Sequence, residues 1–335
     1  MTNGNHANNP EREQPPLPTP PPSWMGRRLL VPLDGSHLAE AVLPIAARLA
    51  TLFDATITLL HVIEKDAPSR VHGEHHLTNR AEAEAYLAQV AERLAGELDG
   101  ASRVETHVHE TSVGNVAQSL AKHAEERQAD LLLLSTHGEG GLRDVIWGSI
   151  AQQVLQLCNR PILLVQARPT TATAPFAPRT IMAPLDASAA AEASLPIATT
   201  LARIMHAQLR LVMVVATPET VVGQQVATAT FLPSATRALL DVQEREATAY
   251  LERLAESIRP TGVPVVVEVR RGDAVTQLAT DTAEHADGLV VAATHGRAGL
   301  QAIWVPRVAS RLLKRTQAPI LLVPIIEPGG YPAHR

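Results

Sequence analysis

The chain has 335 residues and a formal net charge of −5, with 45% hydrophobic residues but only 3% aromatic ones. That length suits two domains with aliphatic cores, and the acidic balance gives no electrostatic drive toward nucleic acid or anionic lipid. No run of about 18 apolar residues marks a membrane span, the one cysteine, Cys158, cannot close an internal disulfide, and the N-terminus is polar rather than signal-like. The expectation is a cytoplasmic protein with neither nucleic-acid nor membrane partners.

Residues 1–25 are rich in proline among Asn, Glu and Gln and have no apolar period, so they are expected to form an extended, disordered tail. From Arg28 onward strands and helices alternate. Leu29 to Leu33 reads as a buried strand, and Asp34-Gly35-Ser36 as a turn into a helix over His37 to Phe53 with Leu38, Val42, Ile45 and Leu49 at helical spacing. Ile57 to Ile63 is the second strand, and Lys65 to His76 a polar loop. Arg80 to Leu98 is a long helix with Leu87, Val90 and Leu94 on one face. Val104 to His109 is the third strand, and Gly114-Asn115 precedes a helix over Val116 to Glu126. Leu131 to Leu134 is the fourth strand and Pro161 to Val165 the fifth. Strands separated by helices at this spacing indicate a doubly wound α/β sheet.

The pattern then begins again. Arg179 to Asp186 repeats Arg27 to Asp34, and Leu195-Pro196-Ile197 repeats Leu43-Pro44-Ile45, both 152 residues on. Thr294-His295-Gly296 repeats Thr136-His137-Gly138, and Pro319 to Val323 repeats Pro161 to Val165, both 158 residues on. The chain is read as a duplicated domain, with halves at 26–166 and 179–326, a linker at 167–178, and a short tail at 327–335. The change of spacing places a net six-residue insertion in the second half, assigned to a loop around Val221 to Phe231.

The first half is organised around Leu131 to Ser149. An aliphatic run stops at a loop holding Gly138, Gly140 and Gly141, and the loop closes at Gly148-Ser149, where Ile150, Val154 and Leu157 begin a helix. A helix start presents unpaired N–H groups and the positive end of a dipole, so it can receive a phosphate. Asp34, at the end of the first strand, has two readings. It caps the following helix, or it accepts from a ligand.

Three motifs in order, Val31-Pro32-Leu33-Asp34-Gly35-Ser36, then Ser135-Thr136-His137-Gly138 with nine residues before Gly148-Ser149, then Pro161-Ile162-Leu163-Leu164-Val165, resemble the universal stress protein family in its tandem form. The family's loop begins with glycine where this chain has Ser135, whose side chain is expected to narrow the pocket. The resemblance implies two five-stranded parallel sheets of order 3-2-1-4-5 with helices on both faces. It also implies that Ile162–Val165 lies antiparallel to Ile320–Val323 in an intramolecular pseudo-dimer, with higher homo-oligomers open. It implies ATP or a related adenine nucleotide, with or without Mg2+, in the first half. Pro32, Asp34 and Val62 would hold the adenosine part and Gly138, Gly148 and Ser149 the phosphates, with Gly35, Ser135, His137 and Ile150 also in the nucleotide site. In the second half the matching positions are Asp186, Val214, Thr294 and Gly296. There Pro306-Arg307 stands where the first half has Gly148-Ser149. Proline removes an N–H donor and adds a ring, so this second site is expected to be degenerate.

Other candidates are weaker. His72 to His76 has no second ligand cluster at a recognisable spacing and reads as a solvated loop. His107 and His109 share one face of a strand and read as a half-exposed edge. Cys158 reads as a small core residue. No catalytic set is evident, so at most weak ATP hydrolysis is expected, with His137 or His295 the conceivable base. The alternative to nucleotide binding is a nucleotide-free interaction scaffold in which both loops are structural.

Overall fold

The computed structural model describes residues 27–65, 70–71, 74–98, 103–136, 149–167, 176–220, 233–295, 308 and 311–325. The expected N-terminal and C-terminal tails, most of the linker and the Val221 to Phe231 loop lie outside them.

In the first half the strands are β1 (Arg28–Pro32), β2 (Thr56–Glu64), a two-stranded hairpin of β3 (Arg70–Val71) and β4 (Glu74–His75), β5 (Arg103–Val113), β6 (Leu131–Thr136) and β7 (Ile162–Gln166). The helices between them are α1 (Leu43–Phe53), α2 (Arg80–Ala95), α3 (Val116–Glu126) and α4 (Ser149–Leu157). The second half has β8 (Thr180–Leu185), β9 (Gln208–Val215), β10 (Val265–Arg271), β11 (Gly288–His295) and β12 (Ile320–Ile325). Its helices are α5 (Ala189–Glu192), α6 (Leu195–Met205), α7 (Pro233–Ile258) and α8 (Ala274–Glu284).

Each half has the expected order 3-2-1-4-5, but the two sheets are one. The order across the molecule is β10-β9-β8-β11-β12-β7-β6-β1-β2-β5. The seam is antiparallel, with Leu164 opposite Ile320, Leu163 opposite Leu321 and Ile162 opposite Leu322. Every other pairing in this sheet is parallel. Joining the terminal strands removes two apolar edges from solvent and leaves β5 and β10 as the edges.

Alternate residues feed opposite cores, as a sheet covered on both faces requires. Leu29, Val31, Leu131 and Leu133 join one cluster with α1, α2 and α6, whereas Leu30, Leu132 and Leu134 join another with α3 and α4. Both clusters cross the seam, since Leu163 and Leu321 share the first and Leu164 and Ile320 the second. Cys158, 2% exposed, belongs to the second core as expected. Among the described residues no helix is long and apolar enough to cross a membrane.

Four local expectations need correction. The first helix does not begin at His37: a 3-10 turn, Ala39–Val42, precedes α1. Pro44 has no N–H to offer the Glu40 carbonyl, which instead takes the tighter bond from Leu43 N–H. α2 stops at Ala95, capped by Gly96. The loop after β2 holds the β3–β4 hairpin. Just after it His76 is only 5% exposed, so this loop is not simply solvated, while His72 and Gly73 lie outside the described residues. Finally, the six-residue insertion is two events. Ile57 and Leu209 are 152 apart, but their neighbours across the sheet, Val104 and Val265, are 161 apart, and the first residues of α3 and α8, Val116 and Ala274, are 158 apart. Nine residues are gained before β10 and three are lost after it, where β5 runs longer and shifts register between Val62 and Glu64.

Candidate functional site

In the first half the helices after β1 and β2 pack on one face and those after β5 and β6 on the other. The helices that follow β1 and β6 in sequence therefore lie on opposite faces, although the two strands are hydrogen-bonded neighbours. A crevice forms at such a switch point, outside the carboxyl ends of the strands.

Asp34 lies two residues beyond the end of β1 at Pro32. Its Oδ1 accepts from Ser36 N at 2.9 Å and from Ser36 Oγ at 2.7 Å. Ser36 Oγ in turn accepts from Ala39 N at 3.1 Å, so Ser36, 2% exposed, caps the 3-10 turn and Asp34 orients the cap. The second half repeats this. Asp186 Oδ1 accepts from Ser188 N at 3.0 Å and Ser188 Oγ at 2.5 Å, and Ser188 Oγ accepts from Ala191 N at 3.1 Å. Between the two members of each pair sits a left-handed residue, Gly35 at φ +93° and Ala187 at φ +63°. A Cβ on Gly35 would come within 2.9 Å of Leu77 Cγ.

Pro32 ends β1 opposite Leu60, and Val62, 7% exposed, lies near the end of β2. Ser135 lies near the end of β6, but its hydroxyl does not simply narrow the pocket. It donates to the Leu38 carbonyl at 2.6 Å and ties β6 to the turn after β1. Ser149 is the first residue of α4, and Ile150 beside it is 41% exposed. Of the predicted residues, Pro32, Asp34, Gly35, Val62 and Ser135 thus belong to the strand ends and first turn, and Ser149 and Ile150 to the helix start. His137, Gly138 and Gly148 lie outside the described residues, as do Gly296, Pro306 and Arg307. Asp186, Val214 and Thr294 hold the corresponding places after β8, on β9 and on β11.

Two supports of this region were not read from the sequence. Tyr86 OH donates to Glu40 Oε1 at 2.9 Å, and Arg93 also pairs with Glu40. Burial first, and then the Glu40 carboxylate, push the Tyr86 phenol up, which keeps it a donor. Tyr250 OH donates to Glu192 Oε1 at 2.8 Å in the second half. Ser36 with Ser188 and Glu40 with Glu192 recur at the 152-residue spacing, so that signal was present. His61 carried none, because its counterpart is Met213. It is 2% exposed, with Nδ1 2.8 Å from the Leu33 carbonyl and Nε2 3.2 Å from the Leu77 carbonyl. Burial outweighs the two carbonyls and holds the imidazole below its ordinary pKa, so the neutral ring donates to one carbonyl at a time.

His107 and His109 do lie on an edge strand, β5, but they meet a partner. His123 of α3 places Nε2 2.9 Å from His109 Nδ1, and its ring lies edge-on to both, with centroids 5.0 Å apart in each case. Burial, then His107 and His109, push the His123 imidazole down to about 4. Among the described residues one group, Asp281, Glu284 and His285, already has three ligand atoms within 4.8 Å of one another. Asp281 Oδ1, however, already sits 2.8 Å from both Arg210 Nη2 and Arg270 Nη2, so guanidinium charge occupies that place.

The model of the universal stress protein family matches residues 25–166 and 178–324. A universal stress protein of Mycolicibacterium smegmatis is 28% identical over 304 residues, covering 88% of this chain and 96% of the relative. One from Methanocaldococcus jannaschii is 27% identical over 164 residues, covering 44% of this chain and 98% of its own length. Among solved structures, a universal stress protein from Archaeoglobus fulgidus superposes with a TM-score of 0.63 at 16% identity, covering 89% of this chain and 98% of that one, a likeness of fold. With both halves matched and both sheets wound in the same order about an antiparallel seam, the chain belongs to the universal stress protein family, in its tandem two-domain form.

Proposed function

We propose that the chain is a stress-response regulator of the cytoplasm that binds ATP or a related adenine nucleotide, with or without Mg2+, at the first switch point. The observation that carries this reading is the position of Asp34 and Ser36 just after β1, next to β6, the strand whose sequence continues through Gly138 and Gly148 to α4. The residues fit the group. Pro32 and Val62 offer an apolar wall, the Asp34 carboxylate is an acceptor for ribose or amine hydrogens, and the α4 N-terminus offers N–H groups to phosphate. The second switch point, with Pro306-Arg307, lacks the Gly-Ser entry and serves the fold. Native mass spectrometry of the purified chain with ATP tests this, and one nucleotide per chain is expected.

A second reading, a nucleotide-free scaffold, draws on one observation: the Asp186–Ser188 network repeats Asp34–Ser36 in a half without the Gly-Ser entry, so the network has a structural use of its own. Absence of bound nucleotide at millimolar ATP would favour it.

A further inference from the structure

The two halves treat one place in the fold in opposite ways. His107 lies opposite Leu60 and His109 opposite Val62; in the second half Glu268 lies opposite Val212 and Arg270 opposite Val214. Leu60 and Val62 are 152 residues before Val212 and Val214, so the pairs are equivalent. His123 and Asp281 are both the eighth residue of an eleven-residue helix, and Glu126 and Glu284 both the last. The second half fills this place with an ion network: Arg270 Nη2 lies 2.8 Å from Asp281 Oδ1 and 2.5 Å from Glu284 Oε2, and Arg270 also pairs with Glu268. The first half puts three imidazoles and the Glu126 carboxylate there, with Lys122 Nζ 3.3 Å from Glu126 Oε1 and the Arg127 charge acting on His123, and an imidazole, His109, stands at the position of Arg270.

We infer that His109, His123 and His107 form a binding site for a divalent transition-metal ion between the edge strand β5 and helix α3. Imidazole is the side chain such ions prefer, above all Ni2+, Cu2+ and Zn2+. Two nitrogens each about 2.05 Å from a metal and at right angles are about 2.9 Å apart, the geometry of tetragonal Ni2+ or Cu2+. His109 Nδ1 and His123 Nε2 already stand at 2.9 Å. The other nitrogen of His123, Nδ1, is 3.5 Å from Glu126 Oε2. A ligating imidazole normally directs its second N–H at such a carboxylate, which fixes the tautomer and raises its basicity. His107, whose ring lies edge-on to His123 with centroids 5.0 Å apart, supplies the third nitrogen when its ring turns toward the pair. Binding to two neutral rings releases no proton: the hydrogen shared between His109 and His123 moves to a ring nitrogen that faces away from the metal. The site lies on a different strand and helix from the nucleotide crevice and does not depend on that reading.

Calorimetric titration of the tag-free full chain with Ni2+, repeated with Cu2+, tests the inference. The expected result is saturation at one equivalent, weakened at least tenfold in His109→Ala and in His123→Ala. Glu126 is half exposed, so Glu126→Gln should leave the fold intact, and it should weaken binding by about tenfold. Thermal melting of each variant identifies any that fails to fold, and Glu126→Gln then decides between the outcomes. His75→Ala, in the β3–β4 hairpin, should bind as the unaltered chain does. Absence of binding by the unaltered chain overturns the inference. So does unchanged binding in the folded His109, His123 and Glu126 variants, or loss of the ion in His75→Ala alone.

Discussion

Gly35 and Ala187 hold the same left-handed turn in the two halves, at φ +93° and +63°, each between an aspartate and the serine it orients. One position needs glycine and the other does without it, and the difference is Leu77, whose Cγ would lie 2.9 Å from a Cβ on Gly35. Gly35→Ala should therefore cost about 1–3 kcal/mol, combining a left-handed non-glycine residue with that contact. Ala187→Gly should change stability by less than about 0.5 kcal/mol, since relief of strain is offset by greater freedom of the unfolded chain. Urea denaturation of both variants checks the contrast, and equal effects would contradict it.

The serine caps should matter equally in both halves for stability and unequally for ligand. Ser36→Ala and Ser188→Ala each remove a side-chain acceptor for a turn N–H and a donor to an aspartate, at about 1–2 kcal/mol. Only Ser36→Ala should weaken nucleotide binding, because it releases Asp34. Melting curves and ATP titration of the two variants measure both effects.

The strand order, the duplication and the seam were legible because they rest on aliphatic runs such as Leu131 to Leu134, whose burial on both faces leaves few alternatives. What escaped was set by tertiary contact. A spacing count sees only the net six residues, and strand register is needed to separate the gain before β10 from the loss after it. The 3-10 turn before α1 depends on which carbonyl Pro44 leaves unserved. The candidate site was legible in its strand ends and helix start, through Asp34, Ser135 and Ser149. The turning of Ser135 toward Leu38 was not, because its partner lies 97 residues away. His123 was invisible beside His107 and His109 for the same reason: helix and strand meet only after the sheet forms.

His61 should make stability fall in acid. Its folded pKa lies below that of the unfolded chain, near 6.5, so the unfolded state takes up protons first. The contribution is present above about pH 6.5 and is lost as pH falls below that value. In His61→Met, which copies Met213 of the other half, the loss of stability between about pH 7 and pH 5 should be smaller. Denaturation midpoints across that range, for the unaltered chain and the variant, decide it, and parallel curves would rule out His61 as a source of the slope.

The seam should behave as core. Leu163 and Leu321 face each other in register and are each 2% exposed, so truncating either to alanine should cost about 2–5 kcal/mol. The double variant should cost less than the sum, because both side chains border one space. Additive losses in a double-mutant cycle would mean the halves are stabilised separately.

One half of this duplicated chain should hold the nucleotide and the other should not. Titration calorimetry with ATP tests this most directly, using the unaltered chain, Asp34→Ala and Asp186→Ala, each first shown to melt cooperatively. The account predicts one ATP per chain, binding lost in Asp34→Ala and retained in Asp186→Ala. Two ATP per chain, or loss of binding in Asp186→Ala alone, would contradict it.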